Sequence, residues 1–439
     1  MPTLVLVPGG RPCDPPRNAN AFTSRIILNA SNADPAAAQD RSPWAPLRNP
    51  MFRAFWFASL VSNLGTWIHE VGAGWLMTNL DSSPEMVSAV RTAMAAPIVL
   101  LAIPAGVLAD RIDRRKLLVV TQLILFATTA TLASLTFADA ITAWGLLGLT
   151  IVMGMGLVLH VPTWQAAIPE IVPKREMSRA VALGSISFNL ARAAGPAVGG
   201  ILIAMLGVWV AFAINALSFA GVIVVLLLWK RDAKESTRGL SFRLSLYQGV
   251  RFVGRNSSMR HVMLGVALFI VPGSALWSLL PLVAKQRLQW GADGFGLLVA
   301  CVGIGAVVAA HQLTRLQSRF GSDRTVAGSM LLFALGLFVM SQSMVGAIVV
   351  AAAIVMGAGW MMTLTTLNAT AQVTLPSRLR ARGMSCYLTA MAVSMSTGSF
   401  LWGQVAGWTS LSTAQTIAAA TIVVTAAISL RFHLGQSLT

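Results

Sequence analysis

Between Ala95 and Phe137 the chain reads AAPIVLLAIPAGVLADRIDRRKLLVVTQLILFATTATLASLTF. Two apolar runs, 86–109 and 117–138, flank a short loop that holds Arg111, Arg114, Arg115 and Lys116. A helix needs roughly 20 apolar residues to cross about 30 Å of hydrocarbon, and each run has that length. Neither alternates polar and apolar residues at period two, so a membrane β-barrel is excluded and a helical hairpin remains. Four cations in one short loop put that loop on the cytoplasmic side, where Lys and Arg concentrate.

Ten further runs of this kind fall at 52–78, 142–164, 179–205, 208–229, 259–284, 291–314, 325–344, 346–371, 382–408 and 412–431. With the N-terminus inside, 28 of the 32 Lys and Arg lie in cytoplasmic segments. The outer loops hold only Lys285 and Arg287, while Arg91 and Arg192 fall inside spans. The net charge of +17 is thus topological, and nucleic-acid binding is not needed to explain it. Both termini are expected in the cytoplasm.

Composition agrees with this. Of 439 residues 56% are apolar and 11% charged, against about 25% charged in a soluble domain, which excludes a water-soluble enzyme. Cys13, Cys301 and Cys386 are too few and too scattered for a disulfide framework or a zinc site. No GxxxxGK[ST] loop is present, so no nucleotide is expected to be hydrolysed and no cofactor or metal is expected.

Residues 1–48, rich in Pro, Asn and Ala, are expected to be a disordered tail. Two six-helix halves follow, 49–229 and 259–432, joined by a basic connector at 230–258 and ending in a short tail at 433–439. In the connector, Leu240, Leu244, Tyr247 and Val250 recur at helical spacing, as expected of a short amphipathic helix on the inner leaflet. A faint repeat supports the division: WQAAIPEIVPKREMSRAV from Trp164 aligns with LNATAQVTLPSRLRARGM from Leu367, pairing Pro173 with Pro376, Arg175 with Arg378 and Arg179 with Arg382.

The loop GVLADRIDRRKLL resembles the signature loop of the major facilitator superfamily, with Gly106, Leu108, Asp110, Arg111, Arg114 and Arg115 matching. ARAAGPAVGG in span 5 is similar to the Gly-Pro-x-x-Gly-Gly element of proton-coupled drug exporters, through Gly195, Pro196, Gly199 and Gly200. SNLGTW (Ser62 to Trp67), Asp113 in place of the second loop glycine, and NLARAAGP resemble the branch of enterobactin-type siderophore exporters and transmembrane secretion effectors. The resemblance implies an all-α fold of twelve transmembrane helices in two six-helix halves, the major facilitator fold. It also implies export across a bacterial cytoplasmic membrane. Gly106, Asp110, Arg111, Arg114 and Arg115, with Gly195 and Pro196, would be gating residues. The chain departs from the family where Thr150 replaces an arginine in span 4 and Ser318 an acid in RLQSRFGSDR, the second-half counterpart of the loop.

An ionisable residue near the bilayer centre costs at least about 2.5–3.5 kcal/mol and reads as functional. Ser59, Ser62, Asn63, Thr66 and Glu70 share one polar face of span 1; Ser185, Asn189, Arg192 and Pro196 share one of span 5. Glu70 is expected to carry a coupling proton, with Arg192 as the charge it senses or as an anchor for an anionic group, and His69 as a possible relay. Arg91, six residues past Glu85, is expected to snorkel outward. Asn63, Thr66, Asn189, Trp164, Trp277, Trp360 and Asn368 are candidate substrate contacts, although membrane tryptophans are more often interfacial anchors.

These features point to a monomeric secondary transporter, in contact with lipid, a small amphipathic or anionic substrate and protons. An importer or lysophospholipid flippase of the same fold, and a non-transporting membrane scaffold or sensor, remain open alternatives.

Overall fold

The computed structural model describes residues 42–230, 251, 253–376 and 380–431. Of the tail expected at 1–48, only 42–48 fall among them, and Ala45–Arg48 forms one turn of 3-10 helix. The amphipathic stretch expected from Leu240 lies, except for Arg251, outside the described residues, as does the tail at 433–439.

Twelve long helices are present among the described residues: α1 (Pro50–Leu80), α2 (Pro84–Arg111), α3 (Arg114–Phe137), α4 (Ala143–Ile171), α5 (Met177–Leu206), α6 (Trp209–Leu228), α7 (Ser257–Leu282), α8 (292–320), α9 (322–342), α10 (Gly346–Thr374), α11 (Arg380–Trp408) and α12 (Leu411–Ser429). Polar residues start them. The side chains of Asn49, Asp113, Thr142, Asn256 and Ser410 accept hydrogen bonds from the first-turn N–H groups of α1, α3, α4, α7 and α12. Each satisfies an otherwise orphaned donor. Helices α8 and α9 are parted only by Gly321, whose φ of 77° and ψ of 166° suit a residue without Cβ. A single turn of π-helix, Val283–Arg287, extends α7.

Eight helical segments, with α8 and α9 counted as one, are long and apolar enough to cross a membrane. Among the helices outside that group, α1 and α11 carry polar side chains through their middles, from Ser59 to Glu70 and from Ser394 to Ser399. Exposed Phe137, Trp144, Met205, Leu217, Val224 and Trp408 give the bundle an apolar exterior, as a lipid-facing surface requires.

Within each set of six, α1 packs on α5 and α6, α3 on α4 and α6, α7 on α11 and α12, and α10 on the α8–α9 segment. The two sets meet through α5 with α8, α2 with α11 and α2 with α7. They meet closely at the end where α1 runs into α2. A Cβ added at Gly200 would lie 2.7 Å from the carbonyl oxygen of Ala292 and 2.9 Å from Cα of Gly296. Gly403 and Gly407 of α11 leave equally little room beside Ser88 and Glu85 of α2. Trp75 of α1 stacks on Phe295 of α8 with ring centroids 6.3 Å apart, inside a buried apolar cluster drawn from both sets. The Lys285 ammonium donates to the Thr78 carbonyl and, at 2.7 Å, to Asn79 Oδ1, while Gln286 Nε2 donates to the Ser82 carbonyl at 3.1 Å.

The other end of the α5–α8 pair is open. Over 181–190 only Leu183, Gly184 and Ser187 of α5 are covered, whereas Ser185, Phe188 and Asn189 are exposed. On α8 the face that carries Gly296 and Gly303 at the contact continues into exposed Val307, His311 and Thr314. Among the described residues the two sets are therefore shut at the α1–α2 end and parted, along the α5–α8 pair, toward the α2–α3 end.

Candidate functional site

Among the described residues, two charged places lie within the spans along the seam between the six-helix sets. The first lies at the shut end. Arg91 of α2 forms an ion pair with Glu70 of α1, Nη1 to Oε2 at 3.3 Å, and each side chain is about three-quarters covered. The guanidinium carbon sits 5.3 Å from the ring centroid of Trp277 in α7, so the pair touches the opposite half through a cation–π contact. Glu70, Gly74, Arg91, Trp277, Ser278 and Phe295 line a cavity of about 40 Å³ there, room enough for water. The expectation that Arg91 snorkels outward is corrected: a carboxylate and an indole face within reach hold the cation inward. His69, next to Glu70, is fully buried with its ring 4.9 Å from that of Phe212 in α6, and neither nitrogen is hydrogen bonded.

The second place is where α5 and α8 part. Arg192 lies on the line of α5 that runs from Gly200 and Pro196, both against α8, toward exposed Asn189 and Ser185. Its guanidinium carbon is 5.9 Å from the Trp67 ring centroid, and Trp67 in turn meets Phe188 edge-on at 6.2 Å. Glu70 is within electrostatic reach of Arg192, while the ion pair it makes is with Arg91. Asn63 Nδ2 donates to Ser187 Oγ at 3.3 Å, tying α1 to α5 beside this site, and Thr66 Oγ1 donates to the Ser62 carbonyl at 2.9 Å. Asn189 Nδ2 donates to the Ser185 carbonyl at 2.8 Å.

The remaining candidates are dispersed. Trp164 stacks on Phe55 at 5.0 Å near the open end of the first half, and Trp360 is buried among Phe269, Phe333 and Trp277. Asn368 accepts from Gln372 one turn along α10. Gly106, Asp110 and Arg111 fall on the last turns of α2, with side chains outside the described residues. Arg114 donates to the Ala166 carbonyl and pairs with Glu170 of α4 at 2.6 Å; Arg115 donates to the Leu226 and Leu227 carbonyls at the end of α6. In this conformation both arginines thus bond inside the first half, and Arg115 sits where a helix C-terminus favours a cation. Asp113 Oδ1 accepts from the Lys116 N–H at 3.0 Å, which accounts locally for an acid at that position. Gly195 admits Trp67 of α1, while Gly200 admits α8, so the Gly-Pro-x-x-Gly-Gly element packs α5 against both halves.

Sequence reasoning missed Arg91 as the partner of Glu70, and Trp67 and Phe188 as neighbours of Arg192. The available signal was that Arg91 is, besides Arg192, the other cation within a span. Among the described residues no group of three or more His, Cys, Asp or Glu could hold a metal ion.

Comparison with known proteins narrows what such a site serves. A stretch of the chain is 24% identical over 288 residues to the staphyloferrin A transporter of Staphylococcus aureus, covering 65% of this chain and 72% of that protein. It is 20% identical to macrolide efflux protein A of Streptococcus pyogenes over 54% of this chain and 59% of that one. It is 24% identical to the multidrug efflux pump Tap of Mycolicibacterium fortuitum over 45% and 50%. In the last two the match spans between half and three-fifths of the relative's own length. In fold, the chain superimposes on a bacterial homologue of the lysosomal transporter Spinster, inward-facing and occupied, with a TM-score of 0.69 at 14% identity, covering 89% of this chain and 98% of that one. An inward-facing bacterial homologue of the iron transporter ferroportin gives 0.68 at 13%, covering 87% and 98%. The profile of the transmembrane secretion effector family matches residues 41–438, and the chain belongs to that family of major facilitator transporters.

Proposed function

We propose that this transporter exports small amphipathic or anionic molecules, siderophore- or drug-like, by alternating access, as a proton antiporter of a bacterial cytoplasmic membrane. The observation that carries the reading is the Glu70–Arg91 pair, set at the seam and touching Trp277 across it. Its distance from the open vestibule lets one end handle protons while the other admits substrate. With the basic loops inside, the parted end faces the cytoplasm, the side from which an exporter loads. The Spinster and ferroportin homologues that the chain superimposes on are likewise inward-facing.

The cycle follows from the contacts. Rocking the halves about the seam draws Trp277 from Arg91 and opens the pair to the outer solution, where Glu70 takes a proton and substrate leaves. Reclosure returns the Arg91 guanidinium to the carboxylate, within the field of Arg192, and the proton passes to the cytoplasmic vestibule. Only a difference in proton affinity between the two states couples the gradient to movement. Asp110, Arg111, Arg114 and Arg115 would latch the cytoplasmic end when it shuts, and Gly106, Gly195 and Pro196 would let the helices bend and approach.

Relatives that move staphyloferrin A and macrolides support the substrate range. The test compares accumulation of siderophores and drugs in cells with and without the protein, then repeats uptake of the best substrate in inverted vesicles. An inward-acid gradient is expected to concentrate it, and Glu70→Gln to leave exchange but abolish concentration. A Glu70→Gln protein that still concentrates substrate would remove the coupling assignment.

A further inference from the structure

We infer that Arg192 is an anion site at the apex of the vestibule, and that it takes the carboxylate or other single negative charge of a molecule whose apolar body lies against Trp67 and Phe188. The inference rests on the exporter reading above and names the chemical class that its vestibule selects.

Charge balance carries it. Glu70 and Arg91 neutralise each other, and among the described residues no carboxylate lies in salt-bridge range of the Arg192 guanidinium, which stands 5.9 Å from the Trp67 ring centroid. A guanidinium stays charged under all ordinary conditions, so burial cannot relieve it by loss of a proton. In a membrane interior such a cation is costly unless an anion or water meets it. Glu70 lends a field from a distance while its carboxylate is ion-paired with Arg91.

The setting is built for a ligand that is charged at one end. Gly200 and Gly296 hold α5 against α8 just beyond Arg192, closing the site from the shut end. On the open side the same line of α5 offers Asn189 and Ser185, and α8 offers exposed His311. Trp67 and Phe188 stand edge to face beside the cation, an apolar wall for an aromatic or acyl body. Arginine presents a planar fork that suits a carboxylate better than an ammonium would. Neutral amphiphiles gain only the wall.

The experiment uses the full chain in phosphatidylcholine nanodiscs, labelled with 5-fluorotryptophan, with the Trp67 resonance assigned by its loss in Trp67→Tyr. Naphthalene-2-carboxylate and the neutral naphthalene-2-carboxamide are titrated separately. The carboxylate is expected to shift the Trp67 resonance saturably, with the carboxamide roughly tenfold or more weaker, as loss of a charge-assisted hydrogen bond implies. Arg192→Gln is expected to bring the carboxylate down to the carboxamide's affinity, and Arg192→Lys to keep part of the difference. The other tryptophan resonances report whether each variant is folded. Nanodiscs that contain phosphatidylglycerol distinguish the source of the anion: a matching shift with no probe added supports the site and assigns it to a lipid headgroup. Equal response to both probes, response to neither, or a carboxylate response untouched by Arg192→Gln overturns the proposal. No proton gradient is present, so failure of the antiport reading leaves this signal in place and failure of the anion site leaves gradient-driven transport in place.

Discussion

One pair of helices, α5 and α8, shows two different ways of meeting. At the shut end Gly200 and Gly296 bring backbone against backbone, with no side chain between them. Toward the open end the same two lines carry Arg192, Asn189 and Ser185 on one helix and Val307, His311 and Thr314 on the other, exposed from Asn189 and Val307 onward. Small residues give a contact that is geometric and needs no charge; long polar ones give a wall that water or substrate must cover. A rocking motion about Arg192 would trade one arrangement for the other. The shut end, made of close fits, is then the more easily broken by added volume, whereas the open end is the more sensitive to lost polarity.

The largest effect is expected from Gly296→Val. Its branched side chain would meet the Pro196 carbonyl, and overpacking of a tight contact costs about 1–3 kcal/mol, roughly a five- to hundredfold shift away from the shut outer end. Spin labels placed across the α1–α2 end should show a longer distance and transport should fall toward background. An unchanged distance with full transport would mean that the glycine contact does not hold that end. Replacement of Gly321 by Ala, which strains a positive φ but meets no neighbour, should leave the same distance unaltered and so separate crowding at the seam from general damage.

A smaller effect is expected from Lys285→Met. The ammonium bonds the Thr78 carbonyl and the Asn79 amide oxygen at the end of α1 from the opposite half and stands 5.9 Å from the Trp75 ring, but it is partly solvated. Hydrogen bonds to charged groups are worth about 1.5–3 kcal/mol when buried, and solvent reduces this to about 1 kcal/mol, roughly a fivefold shift. Oxidative cross-linking of Ser82→Cys with Gln286→Cys should slow, by at most that factor, in the Lys285→Met background. Equal rates would show that the apolar and glycine contacts alone keep the end shut.

The twelve spans were legible because each is a run long enough to cross hydrocarbon, and the division at Gly321 because RLQSRFGSDR interrupts one such run with charge. The functional seam was legible only in part. Glu70 and Arg192 stand out as charges within spans, but the partner of Glu70 depends on tertiary placement: Arg91 turns inward because Trp277, from the other half, offers its ring. Hydroxyls carry less information than charges. In the polar run of α10, Thr366 and Thr370 donate to the Met362 and Thr366 carbonyls one turn back at 2.7 and 2.9 Å. A threonine can satisfy itself within its own helix, so its presence in a span says little about water. Trp360 belongs to that same run and is buried among aromatic rings.

The smallest effect concerns the open end and tests whether its loop acts by charge or by local geometry. Asp113 stands where the resembled family has glycine, and its carboxylate caps α3 through the Lys116 N–H. Loss of an N-cap to alanine costs about 1 kcal/mol, but replacement by glycine costs only a few tenths, because glycine adopts the cap conformation freely and leaves the N–H to water. Asp113→Ala should therefore lower the thermal midpoint measurably, Asp113→Gly should lie close to the parent, and Asp113→Asn should match it, since the amide oxygen caps as well as the carboxylate. If Asp113→Asn is instead as damaging as Asp113→Ala, the negative charge is what matters, set among Arg111, Arg114, Arg115 and Lys116. The loop would then be held by electrostatics, and raising the salt concentration should weaken the parent protein and spare the variant.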